Sequence, residues 1–392
     1  VDKAAAPAMV RLISVIAGKA KKSTVNMDKW EVKKMQVGLR QSEKKICPGQ
    51  SVQMAVFAEA EKKKSKKKKV KTLQTWDGDP ERANRIGKMG FEQFEFASAQ
   101  GDVDENGYFH ANADVLATAA TGFAIATKYR ANPAEFSFDQ TYEPTYSCIV
   151  GAGGMGEVGA TGQYGASGPG GKTGESGGSD GAGGQGSAGG AGGNGSDGSH
   201  GAAGPVITAY ATVVKTPFYD HLGILRVTGD REDVVLFDLK STLSLSAVGG
   251  SGGPGGDGGA GGSGGSGGSG YAGGTGGNGG PGGVGGNGGN GGPGGQVTLV
   301  YDNRFPELAN VIQLDASGGA AGPGGFAGAG GSGGSGGSGQ GEGSTRGTDG
   351  TAGAQGVAGS AGAAGPDGTA HAEAGDVSMY FVDLPDGVSV LD

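Results

Sequence analysis

Asp102, Asp104 and Asn106 are the residues whose types and spacing come nearest to a metal site. They stand at alternate positions of "DVDENG" and precede Gly107, as in the opening of a calcium-binding loop, where oxygen ligands alternate before a sharp glycine turn. The twelfth position of such a loop is Ala113 instead of a glutamate, and the flanking residues are typical of strands. The stretch therefore predicts a polar hairpin turn, with calcium as the alternative and the one candidate cofactor.

Residue types used in catalysis are scattered along this sequence. His110, His200, His221 and His371 are isolated, and no His/Cys spacing typical of a metal site occurs. The glycine runs contain many matches to G-x-G-x-x-G, but a glycine repeat produces such matches whatever its fold. We therefore predict that the chain is not an enzyme.

The two cysteines, Cys47 and Cys148, lie near the ends of one region of the chain. In an exported protein they can form one disulfide, which would close a loop of about 100 residues and restrict the unfolded state. The alternative is a pair of buried free thiols. We favour the disulfide.

Seven of the eight lysines in "EKKKSKKKKVK" lie between positions 62 and 69 and form the strongest local charge. They are Lys62, Lys63, Lys64, Lys66, Lys67, Lys68 and Lys69. They predict either a solvated hairpin tip or a contact with an acidic surface, which would be a polysaccharide, a lipid headgroup or the acidic part of another copy. Nucleic acid is not an expected partner, because no aromatic stacking platform accompanies the lysines.

Charge divides the chain into two modules. Residues 1–150 contain 24 Lys and Arg against 18 Asp and Glu, and residues 151–392 contain 7 against 21, so the modules carry +6 and −14 and sum to −8. No run is apolar enough for a transmembrane segment. The first residue is Val1 in place of Met, which suggests processing and favours a secreted, extracellular or cell-surface protein.

Three glycine-rich blocks occupy much of the second module, at 153–204, 249–296 and 318–370. Glycine recurs at every third position, and the period is interrupted near the middle of each block. The interruptions divide the blocks into six legs of similar length, which are 153–177, 183–204, 249–270, 273–296, 318–339 and 347–370. We interpret each block as a hairpin of two straight rods, whose turns are marked by Asp180, by Tyr271 and by the stretch from Gln340 to Arg346.

A period of three residues predicts a polyproline II type of helix, in which a leg of about 22 residues spans about 70 Å. Such a helix has no internal hydrogen bonds, so its polar groups must pair with neighbouring rods or water. A ridge made of glycine allows another backbone to approach closely. The legs of block 249–296 have two glycine ridges, whereas 153–177 and 347–370 mostly have one. We therefore expect the middle hairpin at the centre of a six-rod bundle and the one-ridge legs at its edges.

This six-rod bundle resembles the glycine-rich antifreeze protein of springtails and the glycine-rich domains of phage tail-fibre-tip adhesins. Runs such as "GGNGGPGGVGGNGGNGGPGG" are also similar to the repeats of mycobacterial surface proteins, without the helical domain that precedes those repeats. The resemblance implies polyglycine II architecture. The alternatives are a disordered linker, which the registered period and matched legs disfavour, and collagen, for which proline is too sparse.

Strand-like stretches surround the glycine blocks, among them "GPVITAYATVVK", "DVVLFDLKSTLSLSAV" and "QVTLVYD". They predict a β-scaffold from which the three hairpins emerge. Residues 1–150 contain short strands at the spacing of a β-sandwich. The stretches "CPGQSVQMAVFA" and "ENGYFHANADVLATAATGFAIATKYR" resemble a bacterial immunoglobulin-like domain, which implies an all-β sandwich for this module.

These features predict an extracellular structural protein, the self-assembling subunit of a surface filament or layer. Its expected partners are other copies of itself, because modules of opposite charge can associate head to tail. The alternative is a cell-surface or tail-fibre adhesin that binds a glycan, such as a surface polysaccharide, through its rods or their tips. A third hypothesis is ice binding, which the mixed Ser, Asn, Asp and Pro ridges support least.

Overall fold

The structure is a computed structural model that describes residues 24–41, 44–64, 69–76 and 86–392. Within these residues the chain is mostly β-sheet, with two α-helices of five and four residues. The prediction of a β-rich chain is confirmed. Alternating side chains account for the strands, as in "FAIATKY", where every second residue is buried.

The described part of the first module forms two sheets. One has the order β5-β4-β3-β8-β7 with β1 on the other edge of β3, and the second has the order β2-β10-β9-β6. In chain order the elements are β1 (Trp30–Leu39), β2 (Lys45–Ile46), β3 (Ser51–Lys62), β4 (Val70–Gln74), β5 (Ile86–Lys88), β6 (Phe94–Ala97), β7 (Gly101–Val103), β8 (Tyr108–Ala111), α1 (Val115–Ala119), β9 (Phe123–Tyr129) and β10 (Ser137–Pro144).

Both sheets contribute to one apolar core. Phe109 of β8 and Phe123 of β9 meet edge to face with their ring centroids 6.0 Å apart. Val56 and Ala58 of β3 and Ile125 of β9 are buried in the same cluster. Apolar side chains from the two sheets are therefore buried in a single shared core.

The second module also contains two large sheets. A parallel three-stranded sheet has the order β11-β16-β19, and a six-stranded sheet has the order β15-β14-β13-β18-β20 with β21 paired to β13. The elements are β11 (Gly151–Met155), β12 (Gly178–Ala182), β13 (Val206–Lys215), β14 (Leu222–Gly229), β15 (Asp233–Phe237), β16 (Leu243–Val248), β17 (Gly270–Ala272), β18 (Gln296–Asp302), α2 (Leu308–Val311), β19 (Ile312–Asp315), β20 (Thr369–Gly375) and β21 (Ser389–Val390).

Six extended glycine segments connect these two sheets. We name them G1 (156–177), G2 (183–204), G3 (249–269), G4 (273–295), G5 (318–339) and G6 (347–368). G1, G3 and G5 continue strands β11, β16 and β19 of the three-stranded sheet. G2, G4 and G6 lead into the parallel strands β13, β18 and β20 of the six-stranded sheet. Each glycine block thus leaves one sheet and returns to the other.

Backbone hydrogen bonds join the segments at every third residue. In one row, Gly159 of G1 donates its N–H to the carbonyl of Ser251 in G3 at 2.8 Å, and Gly252 of G3 donates to Ala320 in G5 at 2.9 Å. In the other row, Gly186 of G2 donates to Thr275 in G4 at 2.9 Å. The N–H groups of G4 in turn donate to carbonyls of G6, again at every third residue. G1, G3 and G5 therefore form one parallel row, and G2, G4 and G6 form another.

Further bonds join the two rows, whose chains run in opposite directions. Gly253 of G3 donates to Ser199 of G2 at 2.9 Å, and Gly289 of G4 donates to Gly253 at 2.8 Å. Taken together, the bonds give G3 and G4 four neighbouring segments each, G2 and G5 three, and G1 and G6 two. The segments with two glycine ridges have the most neighbours, because each close approach requires a ridge without Cβ atoms.

The two modules meet in a third apolar cluster. Val115, Ala119 and Tyr146 from the first module pack with Leu222 and Phe381 from the second. The hydroxyl of Tyr219 donates a hydrogen bond to the carbonyl of Pro144 at 2.9 Å. The base of the glycine segments is thus anchored to the first module by buried side chains.

A matched pair of glycine substitutions tests the packing of the segments. A Cβ at Gly259 would lie far inside van der Waals contact with the carbonyl oxygen of Ala166, whereas a Cβ at Gly170 would meet only the Ser263 oxygen at 3.9 Å. We expect Gly259→Ala to lower the free energy of unfolding by about 1–3 kcal/mol or more, as for other overpacked sites. Gly170→Ala should change it by less than about 1 kcal/mol. Thermal and denaturant unfolding of both variants measure the difference, and equal stabilities would contradict this packing.

Candidate functional site

The outward ridges of the glycine segments carry the side chains that a partner would meet. The N–H groups of these ridges are not used in the backbone bonds between segments. Proline, which has no N–H, occurs within the segments only at such positions. These prolines are Pro169, Pro254, Pro281, Pro293, Pro323 and Pro366.

Polar side chains on one segment accept many of the outward N–H groups of the next. Asp197 accepts from the N–H of Asn287 at 2.6 Å, and the side chain of Asn287 accepts from the N–H of Ser360 at 3.0 Å. His200 accepts through Nδ1 from the N–H of Asn290, whose side chain accepts from Ala363. Rows of side-chain hydrogen bonds therefore cross G2, G4 and G6 and supplement the backbone bonds.

The outer edge of G6 carries side chains where G4 carries glycine. In G4, each residue that immediately precedes a glycine donating its N–H to G3 is itself glycine. A Cβ at any of these positions would collide with the backbone of G5. The equivalent residues of G6 are Asp349, Ala352, Gln355, Ala358, Ala361, Ala364 and Asp367. Asp349 and Asp367 also accept hydrogen bonds from Gly336 and Gly318 of G5. These side chains prevent a seventh segment from packing there at the same spacing.

The three turns between segments come together at the distal end. Strand β12 pairs in parallel with β17, and Gly339 and Thr345 form bridges to the other side of β17. Asp180 lies in β12 and Tyr271 in β17, while Gln340 and Arg346 flank the last turn. All four sequence-predicted turn residues therefore lie at one end of the molecule, at the turns between segments.

The last turn curves around Tyr271. The N–H of Gln340 donates to Gly270 at 2.8 Å, and the N–H of Thr345 donates to Tyr271 at 3.0 Å. Gly341 and Gly343 have φ angles of 103° and 75°, a conformation that glycine adopts without strain. Tyr271 is 47% exposed. The distal end thus presents one aromatic ring within a short polar turn.

Two polar contacts fix the ends of this turn. The side-chain amide of Gln340 donates to the Ser269 hydroxyl at 3.3 Å. Arg346 pairs with Asp349 at 2.7 Å, and both side chains are more than half exposed. An exposed pair of this kind contributes little to stability, so its main effect is on the position of the turn.

The described lysines of the charged run lie at a hairpin. Lys62 ends β3, Lys63 and Lys64 form a turn, and Lys69 precedes β4, which pairs antiparallel with β3. All four are exposed. Lys66, Lys67 and Lys68 lie outside the described residues.

Cys47 and Cys148 form a disulfide, with their Cα atoms 6.4 Å apart. Cys47 follows β2 and Cys148 follows β10, and these two strands are paired in parallel. The bond therefore ties one edge of the first module to the segment that enters the second. Its loop of 101 residues falls in the range where a disulfide stabilises by about 2–5 kcal/mol.

Asp102, Asp104 and Asn106 lie at the hairpin between β7 and β8. Asp104 Oδ1 accepts from the N–H groups of Tyr108 at 2.8 Å and Asn106 at 2.9 Å. These backbone hydrogen bonds, that from Tyr108 foremost, lower the pKa of Asp104 below its usual value. Asp102 pairs with His110 across the hairpin. In the described ranges no group of three or more His, Cys, Asp or Glu side chains is placed to hold a metal ion, and Asp104 serves to close the turn.

Sequence reasoning missed a buried carboxylate, that of Asp302, at the base of the second module. Asp302 is 3% exposed and accepts from the Thr212 hydroxyl at 2.7 Å and from Arg304 at 2.7 Å. Burial raises the pKa of Asp302, but the hydrogen bonds from Arg304 and Thr212 outweigh it and leave the pKa below its usual value. Arg304 also donates to the carbonyl of Leu391 at 2.8 Å. These hydrogen bonds link β13, β18 and the C-terminal residues, and no local sequence motif predicts them.

Comparisons with known proteins give no relative for this chain. No family model, curated protein or solved structure matches it. Among the helices of the described residues, none has the length and apolar character needed to cross a membrane.

The Asn-Gly steps of G4 provide a chemical test of these contacts. Deamidation requires the glycine N to attack the asparagine side chain, yet the N–H groups of Gly279, Gly288 and Gly291 donate to G6 and their asparagines accept from G6. We expect slow deamidation of Asn278, Asn287 and Asn290 in the folded protein at mildly alkaline pH. Peptide mass spectrometry measures it.

Denatured protein incubated under the same conditions is the control, and it should deamidate rapidly at all three steps. Equal rates in folded and denatured protein would show that G4 is not held against G6.

Proposed function

We propose that the six glycine segments form a polyglycine II bundle. The proposal is supported by hydrogen-bond donors at every third residue along all six segments, and by bonds that run to different neighbours from successive residues of G3 and G4. This is the arrangement expected of a threefold helix without internal hydrogen bonds. Such a bundle is stiff, because each segment is restrained along its whole length.

For the first module we infer an immunoglobulin-like sandwich. Two sheets that share a single apolar core support it, as does the aromatic contact between Phe109 of β8 and Phe123 of β9. The two stretches that carry the resemblance to bacterial immunoglobulin-like domains contain strands β3, β8 and β9 of these sheets, with the short helix α1 between β8 and β9.

The function that this geometry supports best is that of an extracellular structural protein. The observation that carries it is the array of two rows of glycine segments, which projects from a β-sheet base and ends in short turns. A segment of about 22 residues would extend about 70 Å from that base. The disulfide between Cys47 and Cys148 is typical of proteins in oxidising compartments and supports export.

We further propose that copies associate head to tail through opposite charges. Strand β3 has 12 residues and runs from Ser51 to Lys62, so its lysine end lies about 35 Å from Ser51. The second module carries 21 acidic against 7 basic residues. A basic end and an acidic module on one chain form a heterologous contact, and such a contact produces an open filament or layer when its rotation does not close into a ring.

Charge reversal at the described lysines tests this assembly. We expect the protein to form oligomers at low salt that dissociate at about 0.5 M salt, where the Debye length is well below 10 Å. Replacing Lys62, Lys63, Lys64 and Lys69 by Glu should abolish the oligomers. Analytical ultracentrifugation and electron microscopy at low and high salt measure both effects.

The control variant carries Lys172→Glu and Lys240→Glu in the second module and should still assemble. A wild-type protein that remains monomeric at low salt would contradict the self-assembly, while leaving the bundle itself untouched.

A further inference from the structure

Tyr164 and Phe326 are unusual residues for the surface on which they lie. The six glycine segments contain no other Phe, Tyr or Trp, and most of their other side chains are small. Tyr164 is 71% exposed and Phe326 is 77% exposed. Two aromatic rings left in water on a surface of this composition indicate a contact that the isolated chain does not satisfy.

The hydrogen-bond register places these two rings at the same level. Gly165, which follows Tyr164, donates its N–H to the carbonyl of Asp257 at 2.8 Å. Gly258, which follows Asp257, donates to the carbonyl of Phe326 at 2.9 Å. Tyr164 of G1, Asp257 of G3 and Phe326 of G5 therefore form one row across three adjacent parallel segments.

The three side chains also lie on the same face. Tyr164 and Asp257 each precede a glycine that donates to the next segment of the row, so they occupy equivalent outward ridges. Asp257 Oδ1 accepts from the N–H of Phe326 at 2.8 Å, which places its carboxylate beside Phe326. With about 4.8 Å between hydrogen-bonded neighbours, the Cα atoms of Tyr164 and Phe326 are about 10 Å apart. We call Tyr164, Asp257 and Phe326 the aromatic row.

The surroundings of the aromatic row are flat. One step toward the base, the prolines Pro254 and Pro323 lie side by side, since Gly255 donates to the carbonyl of Pro323. Toward the distal end, the row is followed by small residues and then by Ser263 and Ser332, whose hydroxyls are 3.2 Å apart. The neighbours of the aromatic row on the same ridges of G1, G3 and G5 are prolines and small residues, so this face suits an extended ligand that presents flat apolar faces with polar edges.

We propose that the aromatic row binds a neutral polysaccharide of linked pyranose rings. The C–H faces of two sugar rings can stack on Tyr164 and Phe326, because an aromatic face is weakly negative and attracts polarised C–H groups. The second oxygen of Asp257 has no hydrogen-bond partner among the described residues and can accept from a sugar hydroxyl between them. The serine hydroxyls farther along the face can bind neighbouring sugars.

Charge selects this ligand over other occupants. A nucleic acid or an acidic polysaccharide would place its anionic groups against Asp257, which has no salt-bridge partner in the described chain. A second copy facing this surface symmetrically, Tyr164 against Phe326, would bring two Asp257 carboxylates together at the centre. A neutral chain with hydroxyl donors meets neither obstacle. This site is separate from the lysine hairpin and from the distal turns, and it goes beyond the proposed structural function.

Polysaccharide affinity with matched variants tests the aromatic row. The probes are insoluble cellulose and chitin in pull-down assays, and soluble β-glucan, xylan and mannan in affinity electrophoresis, all with the full chain. We expect at least one probe to bind. Tyr164→Ala and Phe326→Ala should each weaken binding about five- to tenfold, and the double variant should abolish it.

The opposite face provides a control at a similar level. Val284 of G4 and Val357 of G6 are 42% and 67% exposed there, so Val284→Ala and Val357→Ala should leave binding unchanged, as should Tyr271→Ala at the distal end. Binding by none of the five probes, or binding that the Tyr164 and Phe326 variants leave unchanged, would overturn the proposal. So would loss of self-association in those two variants without loss of sugar binding, since that result would assign the face to a second copy.

Discussion

The close approach of one glycine backbone to another is the constraint on which the rest of the structure depends. A segment with no internal hydrogen bonds is ordered only if its N–H and C=O groups reach a neighbour, and a Cβ atom in the wrong place prevents this. In G3 and G4 two of three residues are glycine, and these segments have four neighbours. Side chains along G1 and G6 limit them to two neighbours, so the array ends there.

The remaining positions of the segments follow from the same constraint. Outward residues do not donate their N–H to a neighbouring backbone, and many of them are prolines, small residues or residues whose N–H is accepted by Asn, Asp or His on the adjacent segment. The base continues each row as a parallel sheet and holds it through apolar cores. The chain therefore combines ordinary hydrophobic packing at the base with hydrogen-bonded packing in the segments, and the aromatic row is the conspicuous exception to a surface of small residues.

Much of the architecture could be predicted because the governing signals are local. The period of three and its interruptions are visible in the sequence, and the structure has turns at Asp180, Tyr271 and 340–346. The polar turn at Asp104 could also be predicted, since the Asx residue and Gly107 stand in the sequence. The alignment of Tyr164 with Phe326 could not be predicted, because the two residues are 162 positions apart in the chain and their alignment depends on the register of three segments. The contact of Asp302 with Thr212 likewise requires the pairing of distant strands.

Amide hydrogen exchange of G3 and G4, resolved to single residues by NMR, tests the account most directly. Both glycines of each triplet donate to neighbouring segments and should exchange slowly, whereas the outward N–H groups without an acceptor, such as that of Ser266, should exchange quickly. In G1 slow exchange should fall chiefly on every third residue, the glycines that donate to G3. Fast exchange throughout G3 and G4, as in a flexible glycine linker, would contradict the central claim that backbone hydrogen bonds between glycine segments hold this protein together.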